Sequence, residues 1–82
     1  MVEKTLCIGA EQGLNVDMAR KMADLSEKYP CTSVLRYNDA DVNMGSLLNI
    51  VAMGIVHGDT VTVRCSGQRE QQALDAYVAL LK

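Results

Sequence analysis

The spacing of apolar residues switches repeatedly between two periods, and this switching most constrains what the chain can fold into. Four segments with strand character alternate in side-chain type or follow a turn signal: 2–8, 31–37, 40–43 and 60–65. Three segments carry apolar residues at helical spacing: 15–29, 46–53 and 69–81. Because strands and helices interleave so closely, the sequence excludes a helical bundle.

Turn and cap residues between these segments narrow the fold further. Asn38 and Asp39 predict a tight hairpin turn, which excludes an all-parallel sheet because parallel strands need a long crossover. Asn15 is a good helix N-cap with Asp17 in the first turn, and Pro30 ends that helix. The order β-α-β-β-α-β-α predicts an α+β fold, with a four-stranded antiparallel sheet and three helices on one face.

Composition sets the size of the core and excludes several classes of function. The chain has 82 residues, 49% of them hydrophobic, and no linker or repeat, so we expect a single domain over residues 1–82. A net charge of -2, scattered basic residues and few aromatic residues argue against nucleic-acid binding. The longest apolar stretch, 47–56, is too short to span a membrane, and no signal peptide is visible, so we expect a cytoplasmic location.

Side chains that commonly carry catalysis or bind metals are few and far apart. His57 is the only histidine and lies in a predicted loop. Cys7, Cys31 and Cys65 are widely spaced, which argues against a zinc site and a structural disulfide and favours a reducing compartment. We therefore predict that the protein is not an enzyme and binds neither a metal nor a cofactor.

Several short motifs occur between residues 3 and 81, and their spacing matches that of a known family without an insertion or deletion. They are Gly13-Leu14 with Ala19, Val42-Asn43, Ser46-Leu47, Met53-Gly54-Ile55, Gly58, Ser66-Gly67 and Ala73-Leu74. Each motif alone is weak, but their order and spacing together specifically resemble the HPr family, the small histidine phosphocarriers of the bacterial phosphoenolpyruvate–sugar phosphotransferase system. The resemblance implies an HPr-like open-faced β-sandwich of four antiparallel strands and three helices.

The same resemblance implies that the carrier site of the family is degenerate in this chain. The phosphoryl-accepting histidine of the family corresponds to Asn15, its arginine to Asp17 and its proline to Met18. An amide side chain has no nitrogen that can attack phosphorus, and Asp17 adds a negative charge where the family has a positive one. We expect no phosphoryl transfer through position 15.

Ser46 is the other residue for which the resemblance implies a chemical role. In Gram-positive family members the matching serine is phosphorylated by an ATP-dependent HPr serine kinase, and one paralogue of that group lacks the histidine and keeps the serine. Regulation through Ser46 is therefore one interpretation. Simple capping of a short helix is the other, because serine is a favoured N-cap. Gly45 also departs from the lysine that is frequent in the family.

The family binds partner proteins on an apolar face of the second helix, beside the first helix. The corresponding residues are Val16, Arg20, Leu47, Leu48 and Val51, although by composition alone the stretch 47–56 is more simply core. The resemblance thus implies a regulatory protein that binds phosphotransferase-system proteins or a catabolite-control regulator. The alternative is an adaptor or decoy module with the same fold and no phosphorylation.

Overall fold

A computed structural model describes all residues from 1 to 82. In chain order the elements are β1 (Val2–Cys7), α1 (Val16–Lys28), β2 (Cys31–Tyr37), β3 (Ala40–Asn43), α2 (Leu47–Ala52), β4 (Thr60–Gly67) and α3 (Glu70–Leu81). The predicted element order is confirmed, and the element bounds differ from the expected ones by at most two residues at either end. None of the three helices is long and apolar enough to cross a membrane.

The four strands form one antiparallel sheet in the order β1-β4-β2-β3. The hairpin between β2 and β3 turns at Asn38 and Asp39, whose φ angles are 49° and 64°. Two successive positive φ angles are what the tight hairpin turn needs, and Asn and Asp tolerate that conformation better than most residues. The predicted hairpin is therefore confirmed together with its local cause.

The core lies between the sheet and the three helices. On β4, the alternation predicted for residues 60–65 is confirmed, because Val61, Val63 and Cys65 are at most 1% exposed, whereas Thr60 on the other face is exposed. The helices add further fully buried side chains to this core, among them Ala19, Met22, Ile50, Ala73 and Tyr77. The helices therefore cover one face of the sheet and leave the other open, as predicted.

Two hydroxyl groups are buried beneath the sheet, and one of them has no hydrogen-bond partner. Ser33 is 3% exposed, and its hydroxyl donates to the Cys65 sulfur at 3.6 Å. The nearby Tyr77 hydroxyl is also buried but has no hydrogen-bond partner. Burial raises the pKa of Tyr77 to about 12, although the neighbouring Ser33 side chain lowers it in part. An unpaired buried hydroxyl destabilises a fold by about 1–3 kcal/mol.

Removing the Tyr77 hydroxyl should therefore not weaken the fold. We expect Tyr77→Phe to leave Tm unchanged or to raise it in a thermal unfolding experiment followed by circular dichroism. The matched control is Tyr37→Phe, because the Tyr37 hydroxyl donates to the Asp59 carboxylate at 2.9 Å. Loss of that bond should lower the stability by about 1 kcal/mol, or Tm by about 4–8 °C. An equal loss in both variants would contradict the unpaired state of Tyr77.

Candidate functional site

The Asn15 side chain caps the start of α1, as the sequence predicted. Asn15 has extended backbone angles, with φ of -75° and ψ of -177°, and its Oδ1 accepts a hydrogen bond from the Met18 amide at 3.0 Å. The Asn15 carbonyl accepts from the Ala19 amide at 2.9 Å. Asp17 lies in the first turn, where the helix dipole favours a negative charge. The Asn15 side chain therefore already serves the helix.

A close backbone contact fixes the position of this helix start. Gly13 has a φ of 66°, and a Cβ atom added to it would lie 2.6 Å from the Ile55 carbonyl oxygen. The Leu14 amide donates to that same Ile55 oxygen at 3.0 Å. Only glycine fits such a conformation and such an approach. The loop between α2 and β4 consequently borders the start of α1, and it brings the 57%-exposed Val56 there.

Asp59 anchors this loop at its far end. One carboxylate oxygen of Asp59 accepts hydrogen bonds from the Tyr37 hydroxyl and from the Val56 amide, both at 2.9 Å. Its backbone carbonyl accepts from the Ile8 amide at 2.8 Å. The hydrogen bond to Asp59 is the main reason that the pKa of Tyr37 is raised. His57 lies exposed within the loop, so the loop is held by its neighbours and not by the histidine.

Ser46 occupies the N-cap position of α2, but its hydroxyl does not cap the helix. The Ser46 carbonyl accepts from the Ile50 amide at 3.0 Å, whereas the hydroxyl makes no hydrogen bond to the helix start. The expectation of a side-chain cap is wrong because the ψ angle of Ser46 is 82°, outside the extended region that aims a capping oxygen at the first turn. Ser46 is half-buried, and its hydroxyl forms no hydrogen bond that would cap the helix.

The apolar stretch that begins at Leu47 divides between core and surface. Ile50 is fully buried, whereas Leu48 is 80% exposed. Leu47 and Val51 are half-buried and pack against the core. The stretch therefore contributes Ile50 to the core and leaves Leu48 on the surface.

α1 adds exposed residues beside α2, since the two helices are in contact. Val16 is 49% exposed, and Arg20 is exposed as well. We call the following set the α1–α2 surface: Val16, Arg20, Leu47, Leu48, Val51 and Val56. Val56 was missed by the sequence analysis, because its place beside α1 depends on the contact between Gly13 and Ile55.

The site combines polar groups at two helix starts with exposed apolar side chains. No cluster of three or more His, Cys, Asp or Glu side chains is arranged to hold a metal ion. The site offers a capped helix start, a serine hydroxyl that does not cap its helix and an exposed apolar surface. Such surfaces on small proteins commonly mark protein–protein contacts.

Comparison with known proteins gives a consistent result along the whole chain. The family model PTS-HPr, described as the PTS HPr component phosphorylation site, matches residues 2–82. The phosphocarrier protein HPr of Vibrio cholerae is 27% identical over 81 residues, which cover 99% of this chain and 95% of that protein. The HPr-like protein Crh of Halalkalibacterium halodurans is 24% identical over 82 residues, which cover 100% of this chain and 98% of that protein.

Solved structures agree with the fold. The crystal structure of HPr-C-His from Thermoanaerobacter tengcongensis has a TM-score of 0.92 and 26% identity, and it covers 99% of this chain and 91% of that chain. The phosphocarrier protein HPr from Bacillus anthracis has a TM-score of 0.94 at 21% identity, over 99% of this chain and 96% of that chain. HPr proteins are phosphocarriers rather than enzymes, which confirms that part of the prediction. With its family-model match, its relatives and its fold in agreement, the chain belongs to the HPr family of the phosphotransferase system.

Proposed function

We propose that this HPr-family protein is a regulatory protein that does not carry a phosphoryl group at position 15. It acts instead by binding partner proteins, under the control of phosphorylation at Ser46. The observation that carries the proposal is the state of Asn15, which the family resemblance aligns with the phosphoryl-accepting histidine. The Asn15 side chain has no nucleophilic nitrogen, and its oxygen is engaged by the Met18 amide at 3.0 Å.

The charge at the start of α1 supports the same proposal. A phosphoryl group carries about −1.5 to −2 charges at neutral pH. Asp17 lies in the first turn of α1 and would repel such a group. Met18 supplies no charge to offset this repulsion. The amides of the helix start favour an anion, but the nearest side chains do not.

Ser46 has the properties of a modifiable residue. Ser46 is only half-buried and its hydroxyl does not cap the helix, so phosphorylation breaks no capping bond. α2 has the sequence LLNIVA and therefore carries no charged side chain. A phosphate on Ser46 would place about −1.5 to −2 charges beside an apolar, neutral helix. The modification would thus change how the α1–α2 surface is recognised.

The partners we propose are proteins of the phosphotransferase system or a catabolite-control regulator. HPr-family proteins interact with other proteins of that system, and one relative of this chain is the HPr-like protein Crh. The 80% exposure of Leu48 supports docking through the α1–α2 surface, because burying a leucine is favourable by about 1.5–3 kcal/mol. We place this binding in the cytoplasm, where the family acts.

A second candidate function is favoured by Gly45, which precedes Ser46 and is exposed. Many family members have a lysine there, so a charge that could guide a kinase is absent. Under this alternative the protein is an adaptor or decoy that binds through the α1–α2 surface and is never phosphorylated.

Phosphorylation by the two family routes separates these functions. One incubation contains ATP and an HPr serine kinase, and the other contains phosphoenolpyruvate and the first enzyme of the phosphotransferase system. Intact-mass spectrometry should detect one added phosphate in the first incubation alone, and the Ser46→Ala variant should gain none.

The other outcomes have defined meanings. A phosphate gained from phosphoenolpyruvate, and lost in His57→Ala, would overturn the proposal in favour of a carrier that uses the loop histidine. The absence of phosphate in both incubations would favour the adaptor function.

A charge on the α1–α2 surface should weaken partner binding without unfolding the protein. We expect Leu48→Glu to weaken capture of phosphotransferase-system proteins by at least about tenfold, since the buried leucine contribution is lost. Tm should stay nearly constant because the side chain is 80% exposed. Thr32→Glu, on the open face of the sheet, is the matched control and should bind normally. Equal binding by both variants would refute docking through α2.

The two N-cap positions should respond differently to removal of their side chains. Asn15→Ala should lower the free energy of unfolding by about 1 kcal/mol, because it removes a capping bond. Ser46→Ala should change it by less than about 0.5 kcal/mol, because the hydroxyl caps nothing. Urea unfolding measures both values. A loss at Ser46 as large as at Asn15 would show that Ser46 is a structural cap.

A further inference from the structure

The open edge of β1 offers backbone hydrogen-bonding groups that no strand uses. β1 pairs with β4 on one side and with nothing on the other. Just beyond β1, the Ile8 amide donates to the Asp59 carbonyl and the Ile8 carbonyl accepts from the Gly58 amide, so the backbone of Ile8 faces the β4 side. Successive residues of a strand face opposite sides, so the odd-numbered residues face outward. These residues are Glu3, Thr5 and Cys7.

A shallow groove runs between this edge and α3. It has a volume of about 290 Å³ and is lined by Lys4, Asp75, Val78, Ala79 and Lys82. Neither of the two lysines forms an ion pair with a carboxylate. The Asp75 carboxylate accepts from the Gln71 side-chain amide at 2.9 Å. The groove therefore combines two apolar side chains, Val78 and Ala79, with two lysines and one carboxylate.

We propose that the β1 edge and this groove bind an extended, acidic peptide segment of a partner protein. The segment adds to the sheet beyond β1 and forms main-chain hydrogen bonds with Glu3, Thr5 and Cys7. Side chains at alternate positions of the segment face α3, where carboxylates meet Lys4 and Lys82. The added strand ends beside Cys7, because the next outward amide, that of Gly9, already donates to the Leu81 carbonyl at 2.8 Å.

The charges select an acidic segment over a second copy of this chain. If two copies paired antiparallel about Thr5, Lys4 of each copy would lie diagonally across from Lys4 of the other on the same face. Like charges in that arrangement destabilise a strand pair, and lysine on an edge strand discourages self-association. On the open face, Glu3 is paired with Arg64 at 3.3 Å and so repels an acidic segment less.

This site shares no residue with the α1–α2 surface and needs no phosphorylation of Ser46. It is therefore independent of the proposed function. An interaction through β1 would leave the α1–α2 surface free for a different partner.

Two blocked peptides of six residues, the length of β1, test the proposal. One alternates valine with glutamate, and the other alternates valine with lysine. Each is added to ¹⁵N-labelled protein, and amide hydrogen exchange is followed by nuclear magnetic resonance. The glutamate peptide should slow exchange at Glu3, Thr5 and Cys7, and it should bind at least about fivefold more tightly than the lysine peptide.

Substitutions test which residues of β1 contribute to peptide binding. Lys4→Glu should reverse the preference between the two peptides, whereas Lys21→Glu, on the exposed surface of α1, should leave it unchanged. Thr5→Pro removes one outward amide and leaves the backbone hydrogen bonds to β4 in place, although it loses the 2.9 Å side-chain bond between Thr5 and Thr62. It should abolish binding. Equal affinity for both peptides, protection of other amides only, or no binding at millimolar peptide would overturn the proposal. A dimer that protects the β1 amides without peptide would overturn it in favour of self-pairing.

Discussion

The structure depends on one row of buried side chains along β4. Val61, Val63 and Cys65 face the helices, and none of them is more than 1% exposed. β4 also pairs with a strand on each side, so this row lies at the centre of the layer that α1 and α3 cover. Burial of each of the two valines stabilises the fold by about 1.5–3 kcal/mol. Because the centre of the sheet supplies the core, β1 and α2 can keep exposed surfaces.

The sequence predicted the elements well because their signals are local. Alternation along residues 60–65 identifies a half-buried strand, and Asn15 identifies a helix start by its residue type alone. The orientation of Ser46 was not predictable in this way. Its ψ angle is set within a turn in which the Asn43 side-chain oxygen accepts from the Gly45 amide at 2.8 Å. The place of Val56 beside α1 depends on the contact between Gly13 and Ile55, which are far apart in the sequence. Neither segment alone carries a pattern that predicts this contact.

The N-cap residues of α1 and α2 are of similar type, but only one of them uses its side chain to cap its helix. Asn15 uses its side chain to complete α1, and its oxygen is not free for other chemistry. Ser46 stands at the equivalent position of α2, yet its hydroxyl does not cap the helix. The difference lies in the backbone: one residue is extended and the other is not. In this HPr-family chain, the hydroxyl that caps no helix therefore lies beside the exposed apolar helix and away from the capped start of α1.

The anchoring of the loop by Asp59 has a consequence for the kinetics of association. Asp59 joins the loop to β2 through Tyr37 and to the end of β1 through Ile8. The segment that carries Val56 is therefore already ordered before any partner arrives, and little conformational entropy is lost there on binding. A rigid contact surface associates without waiting for rearrangement, so differences among partners should reside mainly in how slowly they dissociate. Asp59 would then influence how readily a complex forms, through the loop that it holds in place.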